Sequence, residues 1–276
     1  MKTTPIAFIG GGNMARSLIG GLRADGCDPH TLWVADPNPE QGETLRSRFG
    51  VHTSTDNCEV AARATVVVLA VKPQVLHDVA RQLAATVQAG KPLVISIAAG
   101  VREPDLRHWL GGDVALVRSM PNTPALVRSG ATALFANPRV SQPQRQLAES
   151  ILRAVGLTIW VEDERLLDSV TALSGSGPAY FFLVMEALEQ AGIRLGLNPT
   201  DARLLTLQTA FGAAKMALES TESPAILRTR VTSPGGTTER ALAVLQAGKL
   251  ETLFVSALEA ACQRARELGD LLGKPT

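Results

Sequence analysis

The chain has 276 residues, enough for two modest domains. Apolar residues are 45% and charged residues 19%, as expected of a globular chain with a sizeable core, and with aromatics at only 4% that core must be filled by Ala, Leu and Val. A net charge of +1 with no aromatic-interleaved basic run argues against nucleic acid, and three scattered cysteines, Cys27, Cys58 and Cys262, argue against a disulfide framework or a zinc site.

The N-terminus runs into an apolar segment with no signal-like h-region, and the most apolar stretch, 178–188, is too short to span a bilayer. A cytoplasmic protein with no membrane partner is expected. In chain order, short apolar runs fall at 5–9, 31–35, 65–70 and 92–97, with weaker ones at 114–118 and 132–135. Helical spacing separates them at 13–22, 40–49, 74–84 and 104–109. Continuous β-branched runs alternating with helices predict a parallel sheet covered on both faces. After Val161 the strand signals stop, and 166–173, 178–195, 200–219, 224–230, 237–246 and 250–272 all read as helices. The expected fold class is α/β: a Rossmann dinucleotide-binding domain over 1–163, then an all-α domain over 164–276. Six helices this rich in Leu and Ala read either as an intertwined homodimer through the second half, which is the expectation, or as a compact bundle that buries its own faces.

The first apolar run ends in Gly10-Gly11-Gly12-Asn13-Met14-Ala15, a G-x-G-x-x-A that opens a helix. Gly10 allows the tight turn, Gly12 lets a pyrophosphate approach the backbone, and Ala15 permits close helix–strand packing. Asp36 ends the second run near the roughly 20-residue offset of a ribose-binding acid, which leans towards NAD; it reads equally as part of a surface turn, Asp36-Pro37-Asn38-Pro39. Lys72 and Pro73 follow the third run, where ligands of open sheets bind, although a solvated turn lysine fits as well. Met120-Pro121-Asn122-Thr123-Pro124 is a proline-bracketed turn suited to holding a cofactor amide. Ser174-Gly175-Ser176-Gly177-Pro178 is a second small-residue loop, reading either as a linker or as a helix start.

In the helical half, Val231-Thr232-Ser233-Pro234-Gly235-Gly236-Thr237-Thr238 carries glycine and hydroxyls and no charge, and it opens a helix. Such a loop aims several N–H groups at one point and suits a carboxylate. Taken in order, these motifs make the chain resemble pyrroline-5-carboxylate reductases nearly end to end. The resemblance implies reduction of 1-pyrroline-5-carboxylate to L-proline by NADPH or NADH, in dimers built from exchanged C-terminal helices and often gathered into a larger ring. It implies cofactor contacts from Gly10, Gly12, Asn13, Met14, Asp36, Asn57, Ala70, Lys72, Pro73, Met120, Asn122 and Thr123. It implies a substrate carboxylate on Ser233, Gly235, Gly236 and Thr237, with the Thr238 hydroxyl facing the ring nitrogen as the catalytic group. Some relatives carry a small hydroxyl residue where Asp36 stands, so the usual NADPH preference is open here.

The four histidines, His30, His52, His77 and His108, lie outside the glycine motifs. Reduction of an iminium needs no strong general acid, and an unperturbed hydroxyl is a poor one, so orientation is the expected role of Thr238. Two other readings stay open: a hydroxyacid dehydrogenase using Lys215 as its acid, and a non-catalytic dinucleotide sensor.

Overall fold

The computed structural model describes residues 3–273. An eight-stranded sheet is formed by β1 (Ile6–Ile9), β2 (Leu32–Ala35), β3 (His52–Ser54), β4 (Val66–Leu69), β5 (Leu93–Ser96), β6 (Ala115–Met120), β7 (Gly130–Ala136) and β8 (Gly156–Trp160). Its spatial order is β3-β2-β1-β4-β5-β6-β7-β8. The helices along this half are α1 (Asn13–Ala24), α2 (Pro39–Phe49), α3 (Asn57–Ala62), α4 (Pro73–Gly90), α5 (Glu103–Trp109), α6 (Gln142–Arg153) and α7 (Leu166–Val170).

Why these runs become central strands follows from where their side chains go. In β1, Ile6 and Phe8 join one buried cluster while Ala7 and Ile9 join the other. The same split holds for Val66 and Val68 against Val67 and Leu69 in β4. A strand buried on both faces needs no polar alternation, and its period of two feeds two cores at once. Leu18, Ile19 and Leu22 of α1 with Ile151 and Leu152 of α6 cover the first face. Leu76, Ala80, Leu83 and Val87 of α4 with Leu106 of α5 cover the second. Each fully buried Leu, Ile or Phe contributes about 1.5–3 kcal/mol relative to exposure.

Several elements differ from the sequence expectation. The pair β6–β7 is antiparallel, so the sheet is parallel except at that one junction. Strands β3 and β8 and helices α3 and α6 also appear. β3 is three half-buried residues on the sheet edge, too short for any period to show. In β8 the apolar Leu157 and Ile159 point outward, so the usual pattern is inverted. Helix α4 runs to Gly90, where Lys91 ends it in the left-handed region at φ 46°. The stretch expected as a helix to Leu173 followed by a loop is instead α7 continued by a π-helical segment, Thr171–Gly175.

The chain divides into two compact units, one reaching Ser176 and resuming at Ala261, the other spanning Gly177–Ala260. The second unit holds α8 (Gly177–Arg194), α9 (Pro199–Glu219), α10 (Pro224–Arg230), α11 (Thr237–Ala247) and the start of α12 (Leu250–Leu272). Asn198 caps α9 by accepting the Asp201 N–H at 2.9 Å, and Gly192 of α8 comes close to Ala202 of α9. Among the residues of this unit only Gly177 and Ala202 are buried, whereas Phe181, Phe182, Leu183, Leu204, Phe211 and Leu253 are each at least 60% exposed. Exposed large apolar side chains in this number are what an interaction face carries. Among the described residues no single helix is long and apolar enough to cross a membrane; one bent pair, Thr237–Ala247 with Leu250–Leu272, passes on length and composition alone.

Candidate active site

The strand order reverses direction between β1 and β4, and in open α/β sheets ligands bind beyond the carboxyl ends of the strands at such a switch point. Gly10 leaves β1 there at φ +99°, its N–H donating to Ala35 O at 2.8 Å. A Cβ on Gly10 would lie 2.7 Å from the Ala70 carbonyl oxygen, so both the turn and the close approach to β4 require glycine. Gly12 differs. Its φ of −68° is open to any residue, and nothing lies within 4 Å of a Cβ built on it. That open space sits at the N-cap of the twelve-residue helix α1, whose first-turn N–H groups have no intrahelical acceptor. A backbone left bare beside such a helix end fits a pyrophosphate, which the helix dipole also favours.

Asp36 stands just past β2, and both of its carboxylate oxygens are engaged. Oδ2 accepts the Gly11 N–H at 2.8 Å and Oδ1 the Asn38 N–H at 2.9 Å. The Gly11 carbonyl accepts from Arg16 Nε at 3.3 Å and from Gln41 Nε2. Asp36 therefore belongs to the glycine loop as well as to the surface turn. Ala70 donates to Ile9 O at 2.8 Å across the switch point. Lys72 is exposed at the N-cap of α4, with Pro73 in the first turn. Asn57 opens α3 and turns its amide to Gln82 Oε1 of α4 at 2.9 Å. Met120 ends β6, and Thr123 opens the 3-10 turn Thr123–Val127 that follows.

The predicted substrate loop lies in the second unit. α10 ends at Arg230, and Thr232 Oγ1 donates back to Arg228 O at 2.6 Å. Gly235 adopts φ +71°, and its N–H donates to Glu239 Oε2 at 2.8 Å. Gly236 donates to Ser233 O at 3.0 Å and is the N-cap of α11, where no side chain caps the helix. A Cβ on Gly236 would meet Ser233 Oγ at 2.5 Å and Ser233 O at 3.0 Å. Thr237 and Thr238 form the first turn of α11, Thr238 half-buried. The loop is thus a tight turn that presents a helix N-terminus, the arrangement that holds a small carboxylate.

Groups outside these motifs are accounted for otherwise. His52 stacks on Trp33 at 4.2 Å, and His77 contacts Asp78 Oδ1 at 2.9 Å and meets the Trp109 ring in a T-shaped contact. Lys215 lies 3.8 Å from Glu219 one turn on, an exposed helix-face pair. Arg118, outside every motif, is buried on β6 and paired with Glu164, whose carboxylate also accepts the Glu103 N–H. An arginine inside an apolar run is its signal in the sequence. Burial pushes the nearby Asp105 and Asp168 carboxyls above the ordinary range, with Arg102 and Arg118 opposing the shift in both. Among the described residues no cluster of His, Cys, Asp and Glu could hold a metal.

Comparison with known proteins identifies the family. Residues 164–268 match the family described as pyrroline-5-carboxylate reductase dimerisation, and residues 5–100 match NADP oxidoreductase, coenzyme F420-dependent. A pyrroline-5-carboxylate reductase of Pseudomonas aeruginosa is 51% identical over 99% of this chain and 100% of its own length. The solved structure of a pyrroline-5-carboxylate reductase from Coxiella burnetii superposes with a TM-score of 0.94 at 52% identity, covering 96% of this chain and 98% of that one. That of the Plasmodium falciparum pyrroline carboxylate reductase with NADP bound gives 0.86 at 28% identity, over 98% and 99%. Matched along nearly its whole length, in sequence and in fold, this chain belongs to the pyrroline-5-carboxylate reductase family.

Proposed function

We propose that the protein reduces the C=N bond of 1-pyrroline-5-carboxylate to L-proline, the last step of proline synthesis, with NADPH or NADH. The observation that carries this reading is the presence, in a chain of this family, of two helix N-termini without a side-chain cap. One is the open Gly12 at α1, and the other is the glycine–hydroxyl turn at α11. The first suits a dinucleotide pyrophosphate and the second a small carboxylate.

Bound at the α1 crevice, NAD(P)H supplies the hydride. The chain's own residues hold and orient. Gly10, Gly12, Asn13 and Met14 offer backbone to the pyrophosphate, and Asp36 accepts from a ribose hydroxyl with the lone pairs that Gly11 and Asn38 leave free. Asn57, Ala70, Lys72, Pro73, Met120, Asn122 and Thr123 border the rest of the nucleotide. Ser233 and Thr237 fix the substrate carboxylate on the turn that Gly235 and Gly236 shape, their own N–H groups taken by Glu239 and Ser233, and hence set the face of the ring presented. Thr238 orients the ring nitrogen, which is protonated before the carbon is reduced, so no strong acid is needed at the site. Holding two reactants in register is then the main catalytic contribution.

We also propose that the helical half, 164–276, joins two copies in a homodimer, that dimers gather into a larger ring, and that the protein works in the cytoplasm without nucleic-acid or membrane partners. The exposed Phe181, Phe182, Leu204 and Phe211 support self-association. Initial rates with the imine, using NADH and NADPH side by side, test the reaction. Oxidation of neither, in protein that still binds nucleotide, would refute it. Mass photometry tests the assembly.

A further inference from the structure

Asn122 has both ends of its side-chain amide committed within its own unit. Its Oδ1 accepts the Ala131 N–H at 2.9 Å. Its Nδ2 donates to Ser174, 3.2 Å from the carbonyl oxygen and 3.2 Å from Oγ. The orientation of the amide is fixed by these partners, because a backbone N–H can only donate and a carbonyl can only accept. One backbone bond completes the arrangement, Ala125 N–H to Asn122 O at 3.2 Å. Next to it, a Cβ on Gly175 would lie 2.5 Å from Met120 Cε, so the two segments are in close contact.

What these bonds join is informative. On one side is the turn after β6, at the carboxyl end of the strand beside β5. On the other is the π-helical segment Thr171–Gly175, which leads to the point where the chain leaves the first unit after Ser176. Single-turn π segments recur at functional sites because they displace the helix from its ordinary register. Here the segment is held by Thr171 Oγ1 donating to Leu167 O at 2.7 Å and by the Ser176 N–H donating to Thr171 O at 2.8 Å.

We propose that Asn122 is a positioning residue: its side chain locks the Met120–Thr123 turn between β7 and the π-helical segment, so that the backbone of the turn is held at the mouth of the nucleotide crevice. This rests on the nucleotide reading of that crevice. With Nδ2 turned to Ser174 and one lone pair of Oδ1 taken by Ala131, a direct contact of the side chain with the cofactor would use the second lone pair of Oδ1, with Asn122 as acceptor.

That constraint makes Asn122→Asp decisive. Aspartate keeps the size and the Oδ1 acceptor, so a residue that merely accepted from the cofactor would tolerate it. It loses the two donors and faces the Ser174 carbonyl with a second carboxylate oxygen, so a residue that locks the turn would not. The experiment measures steady-state constants and the primary deuterium isotope effect, with NADPH deuterated at the transferred position, for wild type, Asn122→Asp, Asn122→Ala and Asn122→Ser. Expected for Asp and Ala is a fall of about tenfold or more in kcat/KM for the nucleotide, as small misplacements cost that much, with KM for the imine changing less than about threefold. The isotope effect on kcat should rise, because hydride transfer becomes slower than the other steps; loss of folded protein alone would leave it unchanged. Ser, which retains one donor, should recover part of the loss. Asn122→Asp behaving as wild type, or an unchanged isotope effect in all three variants, overturns the proposal. Should Asn122→Ala fail to fold, the Asp and Ser variants still decide. Should wild type oxidise no nucleotide with the imine, the proposed reaction fails separately. Fluorescence titration with NADPH then tests Asn122 by itself: weaker binding in Asn122→Asp supports the lock, and unaltered binding refutes it.

Discussion

Two glycines two positions apart in the same turn, Gly10 and Gly12, should fail in different ways when each gains one methyl group. At Gly10 the backbone sits at φ +99°, and the added carbon would lie 2.7 Å from the Ala70 carbonyl oxygen and 2.9 Å from its carbon. These are atoms of a central strand and cannot swing aside. The dihedral strain is about 1–3 kcal/mol, and forcing an atom into packed surroundings adds about 1–3 kcal/mol. Gly10→Ala should therefore lose roughly 2–6 kcal/mol and lower Tm by about 2–4 °C for each of them. At Gly12 the methyl meets nothing within 4 Å and φ is ordinary. The folded cost is only that of a poorer N-cap, about 1 kcal/mol at most. The methyl does, however, occupy the space assigned to the pyrophosphate. Losing one hydrogen bond to a charged group costs about 1.5–3 kcal/mol, or about 10- to 100-fold in affinity. The assay is a thermal melt and an NADPH titration of both variants. Gly12→Ala should melt within a few degrees of wild type and bind nucleotide at least about tenfold more weakly. Unchanged affinity in folded Gly12→Ala would show that the pyrophosphate does not sit at α1, and the reasoning about this helix end would be wrong.

Three further outcomes are expected. Asp36→Ser removes a carboxylate that now accepts from Gly11 and Asn38. It should shift the ratio of kcat/KM for NADPH over NADH upward by about tenfold, since a fixed negative charge no longer opposes a 2′-phosphate; an unmoved ratio means Asp36 only holds the loop. Gly236→Val places carbon 3.0 Å or less from Ser233 atoms and should raise KM for the imine steeply, while Thr238→Ala, losing one neutral hydrogen bond, should lower kcat by no more than about tenfold. Equal KM in Gly236→Val and wild type would remove the carboxylate from this turn. For Asp168, burial raises the folded carboxyl pKa above its unfolded value of about 3.9. The folded state then binds more protons across that interval, so this group favours folding at low pH and the contribution is lost as pH rises through the folded pKa. Asp168→Asn should thus raise Tm at neutral pH relative to wild type, with the difference shrinking towards about pH 4. A difference that grows in acid would contradict the sign.

Much of this protein is written in consecutive residues. The runs 5–9, 65–70 and 92–97 contain β1, β4 and β5, because a strand buried on both faces needs only apolar side chains in sequence. Gly10–Ala15 was legible because its roles are local: one left-handed residue, one bare residue, one helix start. The Ser233–Thr238 turn was legible for the same reason, glycine and hydroxyls at the opening of α11. What only the tertiary structure decided are pairings between distant residues. The carboxylate of Asp36 reaches the Gly11 N–H across 25 positions, and the amide of Asn122 reaches Ser174 across 52. Neither partner marks the other in the chain, so these bonds to the scaffold could not be read from sequence. The antiparallel β7 and the inverted β8 depend likewise on neighbours in the sheet rather than on their own composition. In the helical unit, the sequence showed amphipathic helices with apolar surface to spare, but only the fold showed how little of it the unit covers by itself: apolar pattern is a local property, while burial depends on what is packed against it.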